Sequence, residues 1–166
     1  MKTKYTKMQS NGNDFLVSED YGIVAKTREL SDRRVNIGFD QLLYFQNGNI
    51  PKLRVYNADG SEADNCINGL RCIAFLYGLK NTYIEIKNKK FLVNKTANGA
   101  TVEGDMPTVD KIHNWFVIKF GNNHIAKFCE NIDEFDLKAE YVKAKGYKPF
   151  NKIKDFLSLI HISEPT

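Results

Sequence analysis

The chain has 166 residues, of which 42% are hydrophobic, 27% charged and 12% aromatic, and its formal net charge is +4. These values are typical of a globular protein with a buried core, and they exclude disorder as its main state. No apolar run approaches the roughly 18 residues of a membrane helix. The mild charge and the absence of a secretory leader predict a cytoplasmic protein that binds neither nucleic acid nor membrane.

The first part of the chain alternates strand patterns with turn signals. A dense cluster of turn residues at 9–14 separates the first two predicted strands. A weak helix pattern covers residues 26–30, and a strong turn signal follows at residues 57–61. Strands are predicted over residues 3–7, 15–17, 41–45 and 52–56.

The second part begins with one clear helix and continues as strands. Leu70, Ile73, Ala74 and Tyr77 share one helical face. Residues 107–114 indicate a linker, and the lysine-rich residues 138–154 a solvated face or loop. Further strands are predicted over residues 83–86, 90–94, 100–103, 115–120 and 125–129. This irregular order of strands and helices predicts an α+β fold rather than a doubly wound sheet.

The chain has three cysteines, Cys66, Cys72 and Cys129, too few and too irregularly spaced for a disulfide framework or a zinc site. Cys72 and Cys129 are expected to be small buried hydrophobic residues. Cys66 lies where the turn at 57–61 leads into the predicted helix. At a helix N-terminus, free N–H groups lower the pKa of a thiol and can also hold a carboxylate, so Cys66 is a candidate reactive base.

Four motifs, in order along the chain, resemble those of diaminopimelate epimerase, and the resemblance covers about residues 3–135. The specific feature is a combination of three motifs. Gly-Asn-Asp-Phe comes first, Asn-Ala-Asp-Gly-Ser-Glu second and Cys-x-Asn-Gly-x-Arg third. The four motifs are residues 7–15 with Gly-Asn-Asp-Phe, residues 32–41, residues 56–72 with Tyr-Asn-Ala-Asp-Gly-Ser-Glu and Cys-Ile-Asn-Gly-Leu-Arg-Cys, and Gly-Asn-Asn-His at 121–124.

The resemblance implies a domain organisation. Residues 1–110 would form a first epimerase-like domain, a curved mixed sheet around a central helix. Residues 111–156 would begin an incomplete second copy, and residues 157–166 resemble no part of the family. The family is commonly homodimeric when intact.

The resemblance also implies an activity. Such isomerases convert LL-diaminopimelate, a small amino-acid substrate, to the meso form without any cofactor or metal, on the route to lysine and peptidoglycan. One cysteine, as thiolate, removes the α-proton, and a second, as thiol, delivers a proton to the opposite face. Cys66 matches the first catalytic cysteine. The implied substrate-binding residues are Asn13, Gln41, Asn57, Asn68, Gly69 and Asn122, mostly amides that offer both donors and acceptors.

Two departures from the family pattern leave alternatives open. Ile67 stands where the family usually has glycine, which would let the backbone approach a ligand closely. The Cys-Gly-Ser/Thr-Gly motif of the second cysteine is absent, so this chain alone is expected not to epimerise. The alternatives are a racemase or isomerase of the same fold with another substrate, and a binding domain that kept the fold and lost the chemistry.

Overall fold

The computed structural model describes residues 4–120, 122–128, 136–146 and 159–160. The chain falls into two compact units, Met1–Gly104 and Asp105–Thr166. Strands outnumber helices in the described ranges, which confirms the predicted α+β class. None of the helices in these ranges is long and apolar enough to cross a membrane.

The first unit is one seven-stranded sheet whose strands lie in chain order. Its strands are β1 (Thr6–Ser10), β2 (Asn13–Ser18), β3 (Gln41–Gln46), β4 (Lys52–Asn57), β5 (Thr82–Ile86), β6 (Lys89–Lys95) and β7 (Ala100–Glu103). The pairs β2–β3 and β4–β5 are parallel, and the other pairs are antiparallel. The parallel pairs need crossover segments, and these carry the helices.

The β1–β2 hairpin turns at two residues. Asn11 and Gly12 have φ angles of 51° and 84°, the left-handed conformations that a two-residue hairpin turn requires. Gln9 pairs with Asp14 inside the ladder, so the predicted turn cluster is longer than the real turn. The strands therefore extend closer to the turn than the sequence indicated.

Strands β2 and β3 are buried on both faces. Phe15 and Val17 face the main core, whereas Leu16 and Leu42 face a second cluster. That second cluster includes Ile23 and Phe39, which belong to the segment between β2 and β3. This segment contains a 3₁₀ helix (Tyr21–Lys26) and α1 (Thr27–Leu30), near the predicted weak helix. Double burial explains why β2 and β3 read as nearly continuous apolar runs.

Helix α2 (Ile67–Leu76) lies against the inner face of the sheet and confirms the predicted helical face. Leu70, Ile73 and Ala74 are fully buried in the main core. The helix contacts β1 and β2 on one side and β6 and β7 on the other. Because β1 and β7 are the two edge strands of the sheet and both contact α2, the sheet must curl strongly around the helix.

The second unit is a four-stranded sheet, in the order β11-β10-β9-β8, with helix α3 (Leu137–Gly146). Its strands are β8 (Thr108–Ile112), β9 (Trp115–Phe120), β10 (Asn122–Ala126) and β11 (Leu159–Ile160). The prediction of a linker over 107–114 is wrong, because Val109 and Ile112 pair with Ile118 and Trp115 of β9.

The remaining predictions for the second unit are confirmed only in part. The β9–β10 hairpin forms, but β10 starts at Asn122 and includes residues predicted to turn. The lysine-rich segment, predicted as a solvated face or loop, overlaps α3, whose Ala144 is buried and whose Glu140 pairs with Lys127. Cys129 and most of the tail 157–166 lie outside the described residues.

Candidate active site

Cys66 caps the N-terminus of α2 with its side chain. Its backbone is extended, with φ −156° and ψ 99°, and its Sγ accepts a hydrogen bond from the Gly69 N–H at 3.2 Å. The Sγ–H in turn donates to Oε1 of Gln41 at 3.1 Å. The first N–H groups of a helix lack partners within the helix, so the sulfur takes the place of the usual oxygen cap. The thiol is thus held between the start of α2 and strand β3.

Burial raises the pKa of the Cys66 thiol, and this outweighs the opposite effect of the Gly69 and Asn68 N–H groups. The N–H groups at the helix start lower this pKa as predicted, but the net shift is upward because burial, which the sequence did not show, has the larger effect. The thiolate loses its hydration when it is buried, and this destabilises it by more than the hydrogen bonds from two backbone N–H groups stabilise it. As it stands, the site favours the thiol.

A line of hydrogen bonds, here called the amide chain, runs from Cys66 through Gln41, Asn57 and Ser61 to Asp59. Gln41 and Asn57 lie directly opposite each other on β3 and β4. Gln41 Nε2 donates to Asn57 Oδ1 at 2.9 Å, and Asn57 Nδ2 donates to Ser61 Oγ at 3.0 Å. Ser61 Oγ donates to Asp59 Oδ1 at 2.6 Å. Two predicted substrate-binding amides are thereby connected to the predicted catalytic thiol.

Asn68 is oriented by two neighbours that the sequence analysis left without a role. Asn11 Nδ2 and one Arg71 guanidinium nitrogen both donate to Asn68 Oδ1, at 3.0 Å and 2.9 Å. Because Oδ1 takes both donors, the Asn68 NH₂ group is turned away from them and can donate elsewhere. The spacing of three residues between Asn68 and Arg71 on one helix face is the signal that could have found this pair.

Gly69 and Ile67 are explained by packing. A Cβ on Gly69 would lie 2.8 Å from Leu43 Cδ2 and 3.3 Å from Cys66 Sγ, so a larger residue would push the Leu43 side chain away from α2. The Ile67 side chain, which stands where the family usually has glycine, is partly buried against the main core. Its branched side chain therefore has a packing role in this protein.

The other two predicted site residues are placed differently. Asn13 opens β2 just after the hairpin turn, and its side chain has no hydrogen bond to any residue in the described ranges. Asn122 opens β10 in the second unit, opposite Phe120. The Asn122 side chain is not part of what the structure describes. Cys66 is therefore accompanied by Gln41, Asn57, Asn68 and Gly69 in the first unit.

An ionic cluster fixes the start of β3. Arg33 donates to both oxygens of Asp14, at 2.9 and 2.6 Å, and to Asp40 at 2.8 Å. Arg33 is the main reason that the pKa of Asp14 is held well below its usual range. Gly38, with φ +68°, passes so close that a Cβ would lie 2.8 Å from the Arg33 Cα. Since Asp40 directly precedes Gln41, the cluster sets where Gln41 begins its strand.

The chain was compared with protein-family models and with curated proteins. No protein-family model matches the chain. The diaminopimelate epimerase of Flavobacterium psychrophilum is 29% identical to it over 98% of this chain and 70% of its own length. The diaminopimelate epimerase of Acinetobacter baumannii strain AYE is 42% identical over 45% of this chain and 30% of its own length. The resemblance carried by the sequence motifs is thereby confirmed.

Proposed function

We propose, from the homology of this chain to diaminopimelate epimerases, that Cys66 is the first of two cysteines that epimerise LL-diaminopimelate to the meso form. The observation that carries this is the setting of the sulfur. Cys66 Sγ lies 3.2 Å from the Gly69 N–H nitrogen and 3.1 Å from Gln41 Oε1, at the start of a helix. Such a thiol can lose or gain one proton beside fixed hydrogen-bonding groups.

The proposed first step is removal of the α-proton. The Cys66 thiolate takes the proton, an S–H bond forms, and the electron pair of the broken C–H bond spreads onto the substrate carboxylate. That carboxylate needs fixed donors, because its negative charge grows in the transition state. The NH₂ group of Asn68 and the N–H groups at the start of α2 that do not donate to the Cys66 sulfur are suited to supply them, since anions are stabilised at helix N-termini.

For this chain alone, we propose only the first half of the reaction, which is removal of the α-proton. The sequence contains no Cys-Gly-Ser/Thr-Gly motif to deliver a proton to the opposite face. A proton removed by Cys66 can exchange with solvent and return to the same face. The expected result is exchange of the α-hydrogen without inversion.

Deuterium exchange tests this proposal. The chain is incubated in D₂O with LL-diaminopimelate and, separately, with the meso form, and mass and configuration are measured. We expect deuterium at the α-carbon with configuration retained, loss of exchange by about 10²-fold or more in Cys66→Ala, and exchange preserved in Cys72→Ala. Formation of the meso product from LL substrate would contradict the need for a second cysteine, and no exchange from either form would contradict the role of Cys66.

A non-catalytic binding domain is the second candidate, and one observation favours it. Burial raises the pKa of Cys66, so little thiolate is present at neutral pH in the site as described. This candidate predicts that LL-diaminopimelate binds, as measured by calorimetry, while the same sample in D₂O takes up no deuterium.

A further inference from the structure

We propose that Ser61 and Asp59 are positioning residues that set the protonation state of Cys66 through the paired amides of Gln41 and Asn57. The catalytic meaning of this switch rests on the proposed function. The switch itself is a property of the amide chain and can be measured without substrate.

The polarity of the amide chain is set at its Asp59 end. A carboxylate only accepts hydrogen bonds, so the Ser61 hydroxyl donates to Asp59 Oδ1, at 2.6 Å. The Ser61 oxygen is then left to accept from Asn57 Nδ2, which turns Asn57 Oδ1 toward Gln41. Gln41 must therefore donate to Asn57 and turn its own Oε1 toward Cys66. An oxygen that faces sulfur requires the S–H donor, so an ionised Asp59 favours the protonated thiol.

The reverse arrangement serves the thiolate. When the Cys66 proton leaves to water, the sulfur becomes an acceptor and is repelled by Gln41 Oε1. Rotation of the Gln41 amide by 180° offers Nε2 to the sulfur, and the Asn57 amide must rotate with it. The Ser61 hydroxyl then donates to Asn57 Oδ1 and leaves Asp59, which keeps the Ser61 backbone N–H at 2.9 Å. Each link has a partner in both states, so the chain can switch without stranding a polar group.

Asp59 is well suited to hold the first state. Donation by the Ser61 hydroxyl is the main cause that lowers the pKa of Asp59, and the Ser61 N–H adds to it. Because binding effects are reciprocal, a thiolate that draws the hydroxyl away should bring the pKa of Asp59 back up. The exposed carboxyl of Asp59 and the partly buried thiol of Cys66 are thus coupled.

Other charges around Cys66 do not account for its protonation. Burial and two backbone N–H groups shift the pKa of Cys66, and within the described residues no charged side chain does. Lys7 pairs with Asp14, Asp64 pairs with Lys87, and Arg71 donates to Asn68. Strands β6 and β7, which also contact α2, carry the charged residues Lys89, Lys90, Lys95 and Glu103. The other cysteine in the described residues is Cys72.

The experiment measures the alkylation rate of Cys66 against pH. Native protein is pulsed with iodoacetamide and digested with trypsin. Cleavage after Arg54 and Arg71 places Cys66 alone on the peptide 55–71. We expect Ser61→Ala to raise the rate at neutral pH about three- to tenfold and to move the profile to lower pH, because the loss of one hydrogen bond removes the bias toward the thiol. Asp59→Asn should act in the same direction.

Three comparisons decide the matter. Ser61→Thr keeps the hydroxyl and should restore the wild-type profile. Asp64→Asn removes a carboxylate two residues from Cys66 but outside the amide chain, and should leave the profile unchanged. A shift in both aspartate variants with none in Ser61→Ala would show simple charge repulsion and overturn the switch. An unchanged profile in all variants would overturn it too, while leaving proton exchange by Cys66 untouched.

Discussion

The start and the middle of helix α2 each carry a cysteine, in two different environments. Cys66 at the N-terminus is partly buried and has a donor and an acceptor on its sulfur. Cys72, six residues on, is 3% exposed in the main core. Burial raises the pKa of both thiols, that of Cys72 to about 11.

The difference teaches that burial alone does not define a reactive thiol. The apolar core residues around Cys72 cannot donate hydrogen bonds to a thiolate, so no rearrangement of their side chains would lower its pKa. At Cys66 the neighbours are amides, which can present either an oxygen or an NH₂ group. The start of α2 therefore provides polar contacts and its body provides packing, and the two contributions can be separated by substitution.

The largest expected effect lies in the body of the helix. Ile73→Ala removes a fully buried side chain and should lower the free energy of unfolding by about 2–5 kcal/mol. Asn68→Ala should cost less than about 1 kcal/mol, because it removes only exposed or half-buried hydrogen bonds. Urea denaturation measures both free energies, and equal losses would contradict the separation of the helix start from its body.

Serine substitutions of the two cysteines come next. Cys72→Ser places a hydroxyl in the main core and should cost about 1–3 kcal/mol. Cys66→Ser keeps the Gly69 N–H and Gln41 Oε1 as partners, and serine is a good N-cap, so the cost should stay below about 1 kcal/mol. The same denaturation series compares them, and the prediction is wrong if Cys66→Ser is the more damaging change.

Native alkylation gives a third contrast. Cys66 should react at least about tenfold faster than Cys72 near neutral pH, because Cys72 is both less accessible and held at a pKa of about 11. Tryptic cleavage after Arg71 separates the two sites, so one digest reports both rates. In urea the rates should converge. A ratio near one in native protein would mean that the two environments are equivalent.

The smallest effect concerns pH. Arg33 lowers the pKa of Asp14 in the folded protein, so the stabilisation is fully present above the unfolded value of about 4 and is lost as the pH falls below it. Asp14→Asn should reduce stability at pH 7 and flatten its decline below pH 4. Asp110→Asn, which breaks an exposed pair with Lys119 in the second unit, is the matched control and should change the slope little.

Much of the first unit could be predicted because its patterns are local. Leu70 and Ile73 recur at helical spacing, and residues 41–45 and 52–56 lie within the observed β3 and β4. The linker over residues 107–114 was mistaken since Pro107 and the polar residues outweighed Val109 and Ile112, which only pairing with β9 makes visible. The start of β10 was missed for a similar reason, because asparagine favours turns unless a partner strand holds it.

The site was only partly accessible from the sequence. The motifs indicated Cys66 and the amides, but nothing local showed that Gln41 and Asn57 face each other across two strands. The sequence showed that the helix start lowers the pKa of Cys66, but not that burial raises it by more, because helix position is local whereas burial depends on the whole sheet. Ser61, Asp59 and Arg71 lie inside the family-like motifs, but only their contacts show what these side chains do.

The position of α2 against both β1 and β7 has a consequence for synthesis on the ribosome. The apolar face of the helix leaves the exit tunnel well before β7, which ends at Glu103. Until that strand arrives, Leu70 and Ile73 have only part of their cover, and contacts between distant segments form slowly. During the interval between the emergence of α2 and that of β7, the nascent first unit therefore exposes apolar surface of the kind from which aggregation begins.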